Sequence, residues 1–329
     1  MPLISVVIPT YNRADLLDKA IASVLAQHGN DYEVVISDNC STDQTPAVVE
    51  KYLADSRVRY SRNESNIGMV GNWKKAIREL ATCEWFLLLS DDDYLLESDF
   101  LTKAAAAIRA HDPVFVYGGG EVHDVIAGTV TSLALPFEGL VSGEKVFASR
   151  GTVKPQDIIL CSMVFRRADV DRLGFFDEPD NLSCDSEFYL KLCVEGDVCA
   201  ISSNASAYIK HGSNLVSKIN TVRRLRDKNL NHFVNPYRYA KDKGVSPEVL
   251  RQFRVNSGMD RGIASTLLLF KLHDDAWYEA CRNRLSQIIP KIVDEIESSV
   301  KYRLKQLILL ALRPYFRKKY KITDVMEHY

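Results

Sequence analysis

The stretch Trp85-Phe86-Leu87-Leu88-Leu89-Ser90-Asp91-Asp92-Asp93-Tyr94 decides how the chain is read, because five apolar residues run straight into three consecutive aspartates. A short, fully apolar run bounded by polar residues reads as a buried strand of a parallel sheet. In open α/β sheets ligands collect beyond the carboxyl ends of the strands, which is where this run places its acids. Adjacent carboxylates raise one another's pKa unless a cation or several donors offset them. Two readings follow from the stretch alone. One is a hard divalent cation holding a phosphorylated ligand; the other is a solvated acidic loop with helix-capping duties.

The residues before it repeat the same unit. Leu3–Ile8 is a β-branched run closed by Pro9-Thr10-Tyr11-Asn12-Arg13, and Leu16, Leu17, Ala20, Ile21, Val24 and Leu25 then fall at helical spacing. Glu33–Ser37 ends in Asp38-Asn39-Cys40-Ser41-Thr42-Asp43, with a helix expected over Thr45–Leu53. Val58–Ser61 leads to Asn63-Glu64-Ser65-Asn66-Ile67-Gly68, with a helix expected over Val70–Leu80. Strand and helix alternating at this pace predict a parallel, doubly wound sheet. One polar strand end means little. Four in succession, carrying Tyr11/Asn12/Arg13, Asp38, Asn66/Gly68 and Asp91-Asp92-Asp93, read as one pocket.

Beyond the aspartates the pattern predicts a helix over Glu97–Ala110 and a strand over Val114–Tyr117. Gly118-Gly119-Gly120 lacks the strand–helix context of a phosphate loop and is read as flexible backbone beside the pocket. Antiparallel edge strands are expected over Glu121–Leu135, an apolar run over Ile158–Phe165, a helix after Ser183-Cys184-Asp185 and a strand over Val198–Ser202. From about Asn220 the composition is helical, so a domain of residues 1–218 and a helical region of 219–329 are expected.

Bulk properties narrow the class. Seven cysteines with no C-x-x-C spacing argue against a disulfide framework and a structural zinc site, and fit a reducing cytoplasm. No signal peptide is expected at Met1-Pro2-Leu3, and no apolar stretch is long enough to span a bilayer. Residues 301–321 hold eight Lys/Arg and no Asp/Glu, leaving 34 basic against 43 acidic residues elsewhere. Val300, Leu304, Leu307, Ile308, Ala311 and Tyr315 share one helical face there, with Pro314 ending or kinking the helix. Over residues 300–321 this pattern supports either a contact with an anionic membrane or a terminal helix packing on its own domain or a partner subunit. Nothing in it calls for nucleic acid.

Taken in order, VVIPTYNR (6–13), SDNCSTD (37–43), Asn66–Gly68, SDDD (90–93), FFDE (175–178), Cys184-Asp185 and KHGSN (210–214) resemble the inverting family 2 nucleotide-sugar glycosyltransferases of GT-A fold. The resemblance covers roughly the first 215 residues. It implies an α/β, Rossmann-like fold, a mostly parallel sheet flanked by helices, with a helical C-terminal extension. It further implies that Pro9, Tyr11 and Arg13 line a nucleobase pocket, that Asp38 accepts from the base, and that Asn66 and Gly68 complete the base and ribose site. Asp91 would lie near the ribose, Asp92 and Asp93 would hold Mn²⁺ or Mg²⁺ on the diphosphate, His211 would meet that metal, and Asp185 would be the general base. Two departures stand out: Ser90 occupies the first acidic place of the usual D-x-D-D, and Cys184 replaces the Glu that usually precedes the base.

The activity so implied is transfer of a sugar from a nucleoside diphosphate sugar to a hydroxyl of a glycan or lipid-linked glycan, in surface polysaccharide biosynthesis of the O-antigen or capsule kind. A metal stabilising the leaving diphosphate and one carboxylate deprotonating the acceptor suffice for inversion. Peripheral attachment at the cytoplasmic face of a membrane accords with such an acceptor. Asp185 and Asp38 each have a structural alternative, as a helix or turn cap, and Glu178, Glu187 and Trp73 read as structural. A nicotinamide dehydrogenase is excluded because no G-x-G-x-x-G follows the first strand. A sugar-1-phosphate nucleotidyltransferase would need a glycine-rich loop where Pro9-Thr10-Tyr11-Asn12-Arg13 stands. A non-catalytic nucleotide-sugar-binding protein stays open because of Cys184.

Overall fold

The computed structural model describes residues 2–133, 135–152, 159–175, 184–212, 230–273 and 275–311. The chain forms two compact units: Met1–Phe147, Gly151–Pro179 and Phe188–Gly212, and Ala148–Arg150, Asp180–Glu187 and Ser213–Tyr329. The boundary expected at 218/219 falls among residues outside those described.

The first unit is built on one ten-stranded sheet. Its parallel part comprises β1 (Ile4–Thr10), β2 (Tyr32–Asp38), β3 (Val58–Arg62) and β4 (Trp85–Leu88), in the order β3-β2-β1-β4. Every residue of β1, β2 and β4 is buried, as expected of strands covered on both faces. Helix α1 (Ala14–Leu25) buries Leu17, Ala20, Ile21 and Val24, the face that its helical spacing predicts. Helix α2 (Thr45–Glu50) follows β2. Helix α3 (Met69–Lys75) follows β3 and loosens into a π-turn over Ala76–Leu80.

The remainder of the sheet is mixed. After the aspartates come β5 (Tyr94–Leu95), α4 (Phe100–His111), β6 (Phe115–Asp124), β7 (Thr129–Leu133), β8 (Gly139–Val141), α5 (Gly143–Ser149), β9 (Met163–Arg166), α6 (Asp169–Leu173), α7 (Cys184–Leu192) and β10 (Val198–Lys210). β9 lies antiparallel between β4 and β6, β10 runs parallel to β6, and β5 and β8 pair antiparallel with β10. The expected antiparallel pair after Glu121 is the β6–β7 hairpin.

The triple glycine corrects the sequence expectation: it is not a flexible loop but the buried middle of β6. A Cβ at Gly118 would stand 2.8 Å from Ala205 Cβ, and one at Gly120 would stand 2.6 Å from the Ser206 carbonyl oxygen. Close approach of β6 and β10, where β10 carries two register shifts, requires glycine there.

The second unit is helical, with α8 (Asn231–Asp242), α9 (Pro247–Ser257), α10 (Met259–His273), α11 (Asp275–Ile288), α12 (Pro290–Ser298) and α13 (Val300–Ala311). Phe253, Met259, Ile263, Leu267, Leu285 and Val293 are fully buried. Ser246 Oγ caps α9 by accepting from Val249 N–H, and Gly258 ends it at φ 74°. Arg254 ties Asp260 and Glu295 together, at 2.9 and 2.8 Å. On α13 Tyr302 is buried, whereas Val300, Leu304, Leu307 and Ile308 are more than half exposed. Pro314, Tyr315 and the basic residues after them lie outside the described residues. All seven cysteines are free thiols, and no helix among the described residues is long and apolar enough to cross a membrane.

Candidate functional site

The site grows from the register of β1 on β2. Thr10 pairs with Asp38, so the loops leaving both strands emerge side by side. Asn12, at φ 52°, stitches them together: its N–H donates to Ser41 Oγ (2.9 Å) and its Oδ1 accepts from Thr42 N–H (2.7 Å). Asn tolerates this left-handed backbone better than most residues. Neither Arg13 nor Gln44, the residues preceding α1 and α2, makes a side-chain cap bond. Asp43 serves both helices instead, accepting from Ala14 N–H and Thr45 N–H at 3.0 Å each. Burial works against its charge, but these hydrogen bonds outweigh it and hold the carboxyl below its ordinary pKa.

Asp38, at the end of β2, is fully buried. Its Oδ1 accepts from Ser41 N–H (2.8 Å), its Oδ2 accepts from Tyr60 O–H (2.7 Å), and Arg62 Nε lies 3.5 Å away. Beside it lies a network of side-chain amides. Asn39 Nδ2 donates to Asn66 Oδ1 (2.8 Å) and to the Gly68 carbonyl (3.2 Å), and its Oδ1 accepts from Ile67 N–H (2.9 Å). Asn63 and Asn72 extend the network to Ser37. The 66–68 loop is thereby held against the end of β2, while Asn66 itself stays exposed. Gly68 sits at φ 79°, ψ 162° with open space around a would-be Cβ, so backbone conformation alone demands glycine.

The aspartates after β4 divide. Arg13 Nη1 donates to Asp91 Oδ1 (3.0 Å) and Asp92 Oδ2 (2.5 Å), and His211 Nε2 lies 3.0 Å from that same Asp92 oxygen. Asp93 instead engages β10: its Oδ1 accepts from Ile209 N–H at 2.8 Å, and it lies beside the buried Cys161 thiol. Burial lifts the Asp91 carboxyl to about 6, with Arg13 pulling it down and Asp92 pushing it further up. Burial also raises Asp93, and Asp92 adds to that shift. Tyr11 is exposed beside Arg13 in sequence, and Pro9 is buried within β1.

These residues can meet a metal in part. Among the described residues no three His, Cys, Asp or Glu side chains converge to hold an ion by themselves. Asp92 and His211 nevertheless offer a carboxylate oxygen and an imidazole nitrogen 3.0 Å apart, donors that suit a divalent ion such as Mn²⁺. Diphosphate oxygens and water would supply the remaining ligands, as is usual for phosphate-bound metals.

Asp185 lies in the second unit, in the first turn of α7, half-buried. Its Oδ1 accepts from Ser186 N–H at 2.7 Å, so it caps that turn. Burial raises its pKa, and Arg150 partly offsets this. In the same unit Glu187 Oε2 accepts from Asn235 Nδ2 at 3.0 Å. Glu178, Asn214 and most of the FFDE motif lie outside the described residues.

Sequence reasoning passed over Ser41, Tyr60, Asn39, Asn63, Asn72 and the double cap Asp43. The only signal for them is the density of Asn and Asp just beyond β2 and β3.

Comparison with known proteins agrees with this geometry. The sequence model of the family described as "Glycosyl transferase family 2" matches residues 5–173. A GalNAc(5)-diNAcBac-PP-undecaprenol beta-1,3-glucosyltransferase of Campylobacter jejuni is 37% identical over 117 residues, 35% of this chain and 38% of that protein. The chain thus matches well under half the length of that relative. In structure, a Staphylococcus aureus TarS fragment crystallised with UDP-GlcNAc superposes with TM-score 0.65 at 18% identity, covering 96% of this chain and 92% of the other. The mannosyltransferase PcManGT from Pyrobaculum calidifontis, solved with GDP-Man and Mn²⁺, gives TM-score 0.52 at 17% identity, covering 96% and 88%. With a family model spanning half its length and a sheet shared with solved GT-A structures, the chain belongs to glycosyl transferase family 2.

Proposed function

We propose that the protein transfers a sugar, with inversion, from a nucleoside diphosphate sugar to a hydroxyl of a glycan or lipid-linked glycan in surface polysaccharide assembly. The observation that carries this is the convergence of Arg13, Asp91, Asp92 and His211 beyond the carboxyl end of β4, the edge where such sheets bind nucleotides. Asp38 and the 66–68 loop form the adjoining base and ribose wall, and Tyr11 is exposed on the loop after β1. When bound at Asp92 and His211, Mn²⁺ or Mg²⁺ supplies charge neutralisation for the departing diphosphate. Arg13 adds a second cation in reach of the same phosphates. Asp93, held by Ile209 N–H, orders the strand end that presents His211 rather than acting as a first choice of ligand. Asp185 takes the acceptor proton; burial raises its pKa and so strengthens it as a base. Support for the acceptor class comes from the Campylobacter relative, whose name specifies an undecaprenol-linked substrate.

A thermal-shift screen of UDP, GDP and their sugars, with and without Mn²⁺, tests the donor site. Stabilisation by at least one nucleotide, larger with metal, is the expected result. No stabilisation by any nucleotide in any metal would sink the reading.

We further propose that α13 touches an anionic membrane at the cytoplasmic face. Its exposed Leu304, Leu307 and Ile308 alternate with Lys301, Arg303 and Lys305, the pairing of apolar and basic groups that interfacial helices use. Co-sedimentation with phosphatidylglycerol vesicles should fall in the double variant Leu304→Gln/Leu307→Gln; undiminished binding would remove this helix from the contact.

A further inference from the structure

Helix α1 and its flanking residues hold the segment that carries the aspartates at successive points. Arg13, just before the helix, donates to Asp91 and Asp92. Lys19 Nζ stands 3.4 Å from the centroid of the Tyr94 ring. Ser23 Oγ accepts from Leu95 N–H at 3.0 Å, and Gln27 Nε2 donates to the Glu97 carbonyl at 2.7 Å. The segment contributes little order of its own. β5 is two residues long and pairs with β10 at Tyr94–Ala207 and Leu95–Ser206. A pairing that short does not hold by itself.

The seat of β5 on β10 nevertheless governs the candidate metal pair. Asp92 precedes Tyr94 by two residues, and His211 follows Ile209, whose N–H holds Asp93, by two residues on β10. The 3.0 Å between Asp92 Oδ2 and His211 Nε2 is therefore set by how these two stretches lie against each other.

A side-chain bridge fixes that seat. Tyr94, Ala207 and Glu121 stand in one row across β5, β10 and β6, and His123 faces Ile209 in the next row. The small Ala207 leaves room for the Tyr94 ring to lean over β10. Tyr94 Oη lies 3.0 Å from His123 Nδ1, His123 Nε2 lies 2.5 Å from Glu121 Oε2, and Glu121 Oε1 accepts from Asn204 Nδ2 at 2.8 Å. The bonds from His123 and Asn204 hold the Glu121 carboxyl below its ordinary pKa. An ionised carboxylate only accepts, so Nε2 carries the proton of the neutral imidazole and Nδ1 accepts from the Tyr94 hydroxyl. A phenylalanine at 94 would still pack under Lys19; the hydroxyl adds a fixed direction.

We infer that Tyr94 is a positioning residue for the metal pair, with His123 as its anchor and Glu121 orienting that anchor. The bridge locks β5 to β6 across β10, and so sets Asp92 against His211. This role rests on the reading of Asp92 and His211 as metal ligands given above.

Mn²⁺ titrations of the full chain with UDP present, followed by the EPR signal of free Mn²⁺, test this. Tyr94→Phe and His123→Leu should each raise the Mn²⁺ Kd about tenfold, the lower end of the range for groups that orient metal ligands. The double variant should bind no more weakly than the weaker single one, because both substitutions break the same bond. His123→Asn keeps an acceptor near the Nδ1 position and should bind Mn²⁺ about threefold more tightly than His123→Leu, the worth of one ordinary hydrogen bond. An unchanged Kd in both single variants, additive losses in the double variant, or no recovery in His123→Asn overturns the assignment. Should His123→Leu fail to fold, Tyr94→Phe decides alone. Failure of the donor reading shows separately: the parent protein with UDP would then take up no Mn²⁺, and the role of Tyr94 would fall with it.

Discussion

Arg13 Nη1 lies 2.5 Å from Asp92 Oδ2, so a cation carried on the loop after the first strand sits on the second of the three aspartates that follow β4. The same nitrogen reaches Asp91, and both carboxylates are almost buried. Three groups from positions 13, 91 and 92 thus form one electrostatic unit in which each acid depends on the guanidinium.

Removing that guanidinium leaves two buried acids facing each other. Arg13→Gln should destabilise the metal-free protein by about 1–3 kcal/mol at neutral pH, the usual cost of leaving a buried polar group unpaired. Thermal melts in EDTA check the loss, and added Mn²⁺ should restore part of it.

Asp92→Asn tests the ligand assignment. It should lower Mn²⁺-dependent sugar transfer by about 10²–10³-fold, the range for losing a group that stabilises transition-state charge. Steady-state kinetics across a Mn²⁺ titration would show it, and Asp93→Asn should depress metal affinity less.

Asp185→Asn separates catalysis from binding. It should leave the UDP-induced thermal shift intact and cut kcat by about 10²–10⁴-fold. Retention of substantial turnover would mean that Asp185 serves only to cap α7.

A pH dependence follows from Glu33, which lies buried near the start of β2 and accepts from Ser5 Oγ (2.6 Å), Thr82 N–H (2.7 Å) and Thr82 Oγ1 (2.8 Å). Burial disfavours its charge, but these donors and Arg59 outweigh burial and depress its pKa below the ordinary 4.5. A depressed acid contributes stability above its unfolded pKa and loses it as pH falls through the folded one. Glu33→Gln should therefore lower Tm at pH 7, and the gap to the parent should close as the pH drops below 4.5.

Gly120→Ala should destabilise the first unit by about 1–3 kcal/mol through overpacking. The new methyl group would press on the Ser206 carbonyl at 2.6 Å and Ile159 Cδ1 at 2.8 Å. Urea denaturation measures this; a neutral result would return the triple glycine to the status of a loop.

The sequence by itself determined the alternation of strands and helices through β4, and with it the edge on which Arg13, Asp38, Gly68 and Asp92 gather. These are local signals: β-branched runs, helical spacing and polar strand ends need no distant partner to be read. Only the tertiary structure decided which partner each aspartate meets. Asp93 is matched to Ile209 N–H, 116 residues away, and Asp92 to His211, 119 residues away. Those pairings depend on β10 lying parallel to β6 with two register shifts, which no pattern within β10 announces. The same holds for Asp43, a turn residue in sequence that caps a helix 29 positions earlier, and for the triple glycine, whose meaning is the strand packed against it. Side-chain type is written along the chain, but the partner that gives it a role is set by strand register, a property of the whole sheet.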